Sequence, residues 1–172
     1  MPRELLILRH AKSDWNSGAS RDFDRPLSKR GRKNAPRVGR WLAQQGLVPD
    51  YVVCSPAERA KQTAIAVCAE MGIAPESINW DSRIYHASSG ALLDVLCESP
   101  AGAERVMIAG HNPGLEILLQ NLCNHDIPMP PDYKLMPTAA VAHLEVLAEW
   151  AELEGHLARL ISLTRVRSLK DL

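Results

Sequence analysis

The sequence predicts an α/β fold with a mostly parallel central sheet and an antiparallel edge. Three observations carry that prediction. Short aliphatic runs alternate with segments of helical spacing. Several of those segments open on a cap residue or proline and close on glycine. Two apolar runs then lie close together near the C-terminus, as a sheet edge requires.

The elements follow in order. Residues 4–8 (ELLIL) are aliphatic without polar alternation, the pattern of a strand buried on both faces. Residues 28–45 have helical spacing through Val38, Trp41 and Leu42, with Gly46 as the stop. Pro36 inside that stretch predicts a kink or a second start. Residues 51–54 (YVVC) form another short strand. The segment SPAERAKQTAIAVCAEMG reads as a helix with Ser55 at the cap, Pro56 at its first position, Glu58 completing a capping box and Gly72 closing it. A helix is expected over 89–98 and a third buried strand over 105–109 (RVMIA). Asn112 and Pro113 open a helix over 114–122. Pro128, Pro130, Pro131 and Pro137 make 126–137 a loop. Residues 140–147 and 156–164 read as late strands, and the link at 149–155 has room for one helical turn.

The 172 residues are most simply one domain, 1–172, long enough to bury a substantial core. Twenty Lys and Arg balance 20 Asp and Glu, so no global field draws the chain toward nucleic acid or a membrane. No apolar run approaches the ~20 residues of a membrane span. The N-terminal run lacks a small-residue cleavage site and reads as a strand, not a signal peptide. Cys54, Cys68, Cys97 and Cys123 show no CxxC pairing and sit in apolar segments. Reduced, buried thiols and a cytoplasmic location are the expectation.

In an open α/β sheet, ligands bind beyond the carboxyl ends of the strands. The first strand ends in Arg9-His10. The strand at 51–54 runs into SPAER, which carries Arg59. The strand at 105–109 runs into Gly110-His111 and a helix N-terminus. Two Arg and two His thus converge on one edge, with the unpaired N–H groups of two helix starts. That combination suits an anion, and phosphate above all. Taken alone, Arg59 reads equally well as a solvated surface residue. A neutral imidazole is a competent nucleophile near pH 7, and covalent catalysis divides phosphoryl transfer into two easier steps. A metal site is the alternative for the two histidines, but no third ligand lies at useful spacing and the adjacent arginines repel a divalent ion. No metal and no cofactor is expected.

These residues resemble a known family. LRHAKSDWN is similar to the RHG signature of the histidine phosphatase superfamily. RPLSKRG, CSPAERAKQTA and IAGHNPGLE resemble its later blocks in the same order, from about residue 5 to about residue 120. PTAAVAHLEV is a weaker match. The nearest branch is that of small phosphohistidine phosphatases. The resemblance implies a three-layer α/β/α, phosphoglycerate-mutase-like fold. It implies His10 as nucleophile, Arg9 and Arg59 as phosphoryl ligands and His111 as the fourth member of the pocket. Asn16 matches an Asn that contributes to phosphate binding in mutase-like relatives; Ser13, Asn112 and His86 are further candidates around the phosphate. Ser13 equally suits a local backbone bond. The implied partner is a protein bearing phosphohistidine, with no nucleic acid and no membrane.

Two departures matter. Ala11 stands where the superfamily usually has Gly, so an ordinary φ is expected there. No strong proton donor is evident over DSRIYHASSG, where Asp81 and His86 are the candidates; Glu116 is expected to face away. An alkoxide leaving group needs a proton; a phosphorylated imidazole needs it less. That tilts the reading toward P–N substrates. A small-molecule phosphomonoesterase or mutase-like enzyme is the alternative, and a phosphate- or phosphoprotein-binding module without turnover is the second. Lys12, Arg21, Arg25, Lys29 and Arg30 read as a solvated basic surface by default, or as a face for an acidic partner. Trp15, Trp41, Trp80 and Trp150 are assigned to packing, and His125, His143 and His156 to structural or exposed positions.

Overall fold

The structure is a computed structural model that describes residues 2–169. Among the described residues, six strands form one sheet: β1 (Arg3–Arg9), β2 (Tyr51–Cys54), β3 (Ile78–Trp80), β4 (Arg105–Gly110), β5 (Val141–Val146) and β6 (Ala158–Thr164). Their order is β3-β2-β4-β1-β5-β6. The first four are parallel; β5 and β6 add the antiparallel edge. The helices are α1 (Lys29–Gln44), α2 (Glu58–Glu70), α3 (Ser89–Cys97) and α4 (Gly114–Leu122).

Alternation along the strands makes two cores. Leu5, Ile7, Val106 and Ile108 pack with α3 and α4, while Leu6, Leu8, Met107 and Ala109 pack with α1 and α2. The fold is therefore three-layered, α/β/α, as expected from the resemblance. Strand β1 is buried on both faces, which explains why its sequence shows no polar alternation.

Local expectations fared unevenly. Ser28 caps α1 by accepting from Gly31 N at 3.1 Å. The helix then runs through Pro36 without a break, because Ala35, Val38, Gly39 and Leu42 are buried along one face. The capping box at α2 does not form. That helix starts at Glu58 with Ala57 at the N-cap and no side-chain cap bond; Glu58 instead accepts from Gln62 Nε2 at 3.0 Å. Strand β3 was not foreseen: three residues, two of them exposed, carry too little pattern. The 149–155 link holds a single turn, Trp150–Glu152. Trp150 is fully buried and donates from Nε1 to Ala103 O at 2.7 Å. All four cysteines are free thiols; Cys54, Cys68 and Cys123 are buried and Cys97 is half-buried. Among the described residues no helix is long and apolar enough to cross a membrane.

The adjacent parallel strands β1 and β4 send their connections to opposite faces, through α1 and α4. That is the arrangement that opens a crevice at the carboxyl end of a sheet. Gly31 lets α1 start directly against this edge: a Cβ there would lie 2.1 Å from the Lys12 carbonyl oxygen.

Candidate active site

The parallel ladder continues one residue past each strand. His10 N donates to Gly110 O at 3.0 Å and Ser55 N donates to Ala109 O at 3.0 Å. This register places His10 beside His111, ring centroids 5.2 Å apart. Around them a cup of about 220 Å³ is lined by Arg9, His10, Lys12, Ser13, Trp15, Arg25, Arg59, His111, Asn112 and Thr138. The four residues expected to converge do so.

His10 is buried, and its Nδ1 lies 2.7 Å from Ala11 O. A carbonyl only accepts, so Nδ1 carries the proton and Nε2 holds a lone pair. Ala11 is held in turn: its N–H donates to Thr63 Oγ1 at 2.9 Å, and that hydroxyl donates to Arg59 O at 2.7 Å. Ala11 is not among the residues with positive φ, as expected. Burial, with Arg9, Arg59 and Arg25 nearby, pulls the His10 imidazolium down to about 4. Burial, His10 and Arg59 bring His111 down to about 3. Both rings are neutral at physiological pH.

Three guanidinium groups surround the rings. Arg9 donates to Met136 O at 3.0 Å, sharing that carbonyl with Asn112 Nδ2 at 2.9 Å. Arg59 is buried and is held by Asp22, which also accepts from Arg25 Nη2 at 2.7 Å and Tyr85 OH at 2.8 Å. Arg25 also donates to Ser13 Oγ and lies under the Trp15 ring, 3.6 Å from its centroid. A guanidinium carries five N–H groups and Arg9 spends one of them on Met136 O, so cationic donors remain for an anion.

The secondary candidates divide. Ser13 lines the cup and is buried. Asn112 lines it too, but its amide holds the Met136 carbonyl and does not cap α4; Pro113 occupies that N-cap. His86 is exposed at the rim, its ring 4.0 Å from that of Tyr85. Asn16 is exposed on the loop after β1, outside the cup lining, and only its backbone N–H is engaged, donating to Asp14 Oδ1 at 2.9 Å. Asp81 is turned to Arg83, at 2.7 Å. Glu116 does not face away: its Oε1 accepts from Met136 N at 2.7 Å, under the carbonyl that holds Arg9.

Sequence reasoning missed Arg25, Asp22, Tyr85 and Ser55. Arg25 is not a solvated surface residue; it is buried in the cup. Its signals were its place at the head of RPLSKRG, one of the blocks that resemble the family, and an Asp three residues before it. Ser55 was assigned to a helix cap that does not form; its Oγ instead lies 2.8 Å from His111 Nε2. Among the described residues no group of three or more His, Cys, Asp or Glu is placed to hold a metal ion.

Comparison with known proteins bears on the family and the fold. Residues 5–83 match the histidine phosphatase superfamily (branch 1). An uncharacterized protein of Mycobacterium tuberculosis is 32% identical over 158 residues, covering 90% of this chain and 96% of its own. A SixA protein of Nakamurella multipartitia, provisionally named a phosphohistidine phosphatase, superposes with a TM-score of 0.79 at 29% identity, covering 96% of each chain. The protein histidine phosphatase SixA in complex with tungstate gives a TM-score of 0.80 at 22% identity, covering 97% of this chain and 99% of its own; at that identity it speaks for the fold alone.

Proposed function

We propose that this chain, which belongs to the histidine phosphatase superfamily and within it to the small SixA-like branch, removes phosphoryl groups from phosphohistidine carried by another protein. His10 is the covalent nucleophile and the chain works as one domain. The observation that carries this reading is the Nδ1 bond of His10 to Ala11 O, which leaves an Nε2 lone pair among three guanidinium groups.

His10 Nε2 attacks phosphorus as the P–N bond to the substrate ring breaks, and the departing imidazole keeps or takes up a proton. Water then attacks the phosphoenzyme, releasing phosphate and restoring His10. Arg9, Arg25 and Arg59 stabilise charge on the equatorial oxygens. Preference for P–N over P–O bonds is supported by the state of the nearby carboxylates. Among the described residues no Asp or Glu lines the cup. Asp22 is held ionised by Arg25, Tyr85 and Arg59, and Asp81 and Glu116 are engaged elsewhere. An alkoxide leaving group would lack a carboxylic acid donor; an imidazole needs one far less.

Incubation with a labelled phosphohistidine protein should yield an acid-labile, alkali-stable phosphoenzyme that His10→Ala abolishes. Faster turnover of sugar phosphates than of phosphohistidine would favour the small-molecule reading. Stoichiometric phosphate binding without turnover would favour a binding module.

A further inference from the structure

His111 and Ser55 pose a proton-accounting problem with one good solution. Ser55 is fully buried. Its Oγ accepts from Ala57 N at 3.2 Å and lies 2.8 Å from His111 Nε2. The other ring nitrogen, Nδ1, is buried and has no hydrogen-bond partner.

Suppose the ring proton sat on Nε2. Ser55 Oγ would then accept from two donors, and its own hydroxyl proton would have no acceptor. The Nδ1 lone pair would be stranded as well. Two buried polar groups would go unsatisfied, the costly outcome for groups removed from water. A doubly protonated ring leaves the same hydroxyl stranded and adds a cation beside Arg59. With the proton on Nδ1, the Ser55 hydroxyl donates to Nε2 and every group is satisfied except one N–H, on a ring that lines the cup.

We propose that Ser55 is a positioning residue that fixes His111 as the neutral Nδ1–H tautomer, so that His111 donates a hydrogen bond to the phosphoryl group. The proposal rests on reading the cup as a phosphoryl site. Two adjacent histidines then carry their proton on the same ring atom but offer the cup opposite faces. His10, tied to Ala11 O through Nδ1, presents a lone pair. His111, tied to Ser55 through Nε2, presents an N–H. A nucleophile and a hydrogen-bond donor arise from one residue type because their supporting partners differ: an acceptor carbonyl in one case, a donor hydroxyl in the other.

The test is nitrogen NMR on the full chain labelled in histidine, with inorganic phosphate as the probe. In the wild type at neutral pH, His111 should show a protonated Nδ1 and an unprotonated Nε2, and phosphate should perturb the Nδ1–H signal. Ser55→Ala should give a mixture of His111 tautomers and weaken phosphate binding about tenfold, the loss of one well-placed hydrogen bond. Ser55→Thr, which keeps the hydroxyl, should retain the wild-type tautomer. A proton on Nε2 in the wild type overturns the proposal without needing any variant to fold. So does a Ser55→Ala protein whose tautomer and phosphate affinity are unchanged. Failure of the phosphatase reading itself shows separately, as no phosphoenzyme on His10.

Discussion

Asp22 grips Arg59 at two points: its backbone carbonyl accepts from Nη1 at 2.8 Å and its Oδ2 accepts from Nη2 at 2.9 Å. The same carboxylate reaches Arg25 and Tyr85. One loop residue therefore sets the aim of two guanidinium groups that line the cup.

Asp22→Ala should free Arg59 and Arg25 and misplace them for an anion. We expect kcat/KM to fall roughly tenfold to a hundredfold, since small misplacements at a positioned site cost that much. Thermal stability should fall as well: Asp22 itself is exposed, but Arg59 and Arg25 are buried, and removing the carboxylate leaves two buried cations without their partner, so the kinetics are compared well below the Tm of the variant. Wild-type kinetics in this variant would remove Asp22 from the machinery.

The low basicity of His10 has a directional consequence for pH. Its imidazolium titrates near 4 in the folded chain against an ordinary value of 6.5. Between those values the unfolded chain binds a proton that the native ring refuses. Stability therefore falls as the pH drops through that window and is fully present above it. His111, brought down to about 3, acts in the same sense. An NMR titration should place the His10 midpoint near 4, and denaturant unfolding of His10→Ala should depend less steeply on pH than the wild type. Equal slopes would contradict the assignment.

Glu116 reaches the site through the backbone of Met136, whose N–H it accepts and whose carbonyl holds Arg9 and Asn112. Glu116→Ala should weaken phosphate binding roughly threefold to tenfold, the worth of one hydrogen bond. Glu116→Gln keeps an acceptor oxygen and should retain most of the affinity. Calorimetric titration with phosphate distinguishes these outcomes; equal losses in both variants would point to charge on Arg9 in place of loop position.

Gly31→Ala tests the close approach of α1 to the segment after β1. The added Cβ would lie 2.1 Å from Lys12 O, and the backbone must shift to admit it. Overpacking of this kind costs about 3 kcal/mol, which lowers Tm by roughly 6–12 °C in a chain of this size. A melting curve unchanged from wild type would mean that the helix start yields freely.

Much of the fold was legible because burial on two faces leaves an unbroken aliphatic run, as in β1 and β4, and because Ser28 and Gly46 mark the ends of α1 in the sequence itself. By the same logic Arg9, His10, Arg59 and His111 could be assigned to the carboxyl ends of strands. The chain alone does not say which strands are neighbours. His10 meets His111 because β1 pairs with β4 in a register that opposes Arg9 to Gly110, and that depends on contacts about a hundred residues apart. Asp22 and Tyr85 gave no signal, and Arg25 and Ser55, though each sits in a block that resembles the family, were read without their roles, for a related reason. Each lies in a loop or at an element end, where periodicity carries no signal, and each owes its role to partners from other segments. Local pattern determined where the reactive residues begin; only three-dimensional packing decided which carbonyl, hydroxyl or carboxylate stands behind each one, and those partners set its proton and its charge.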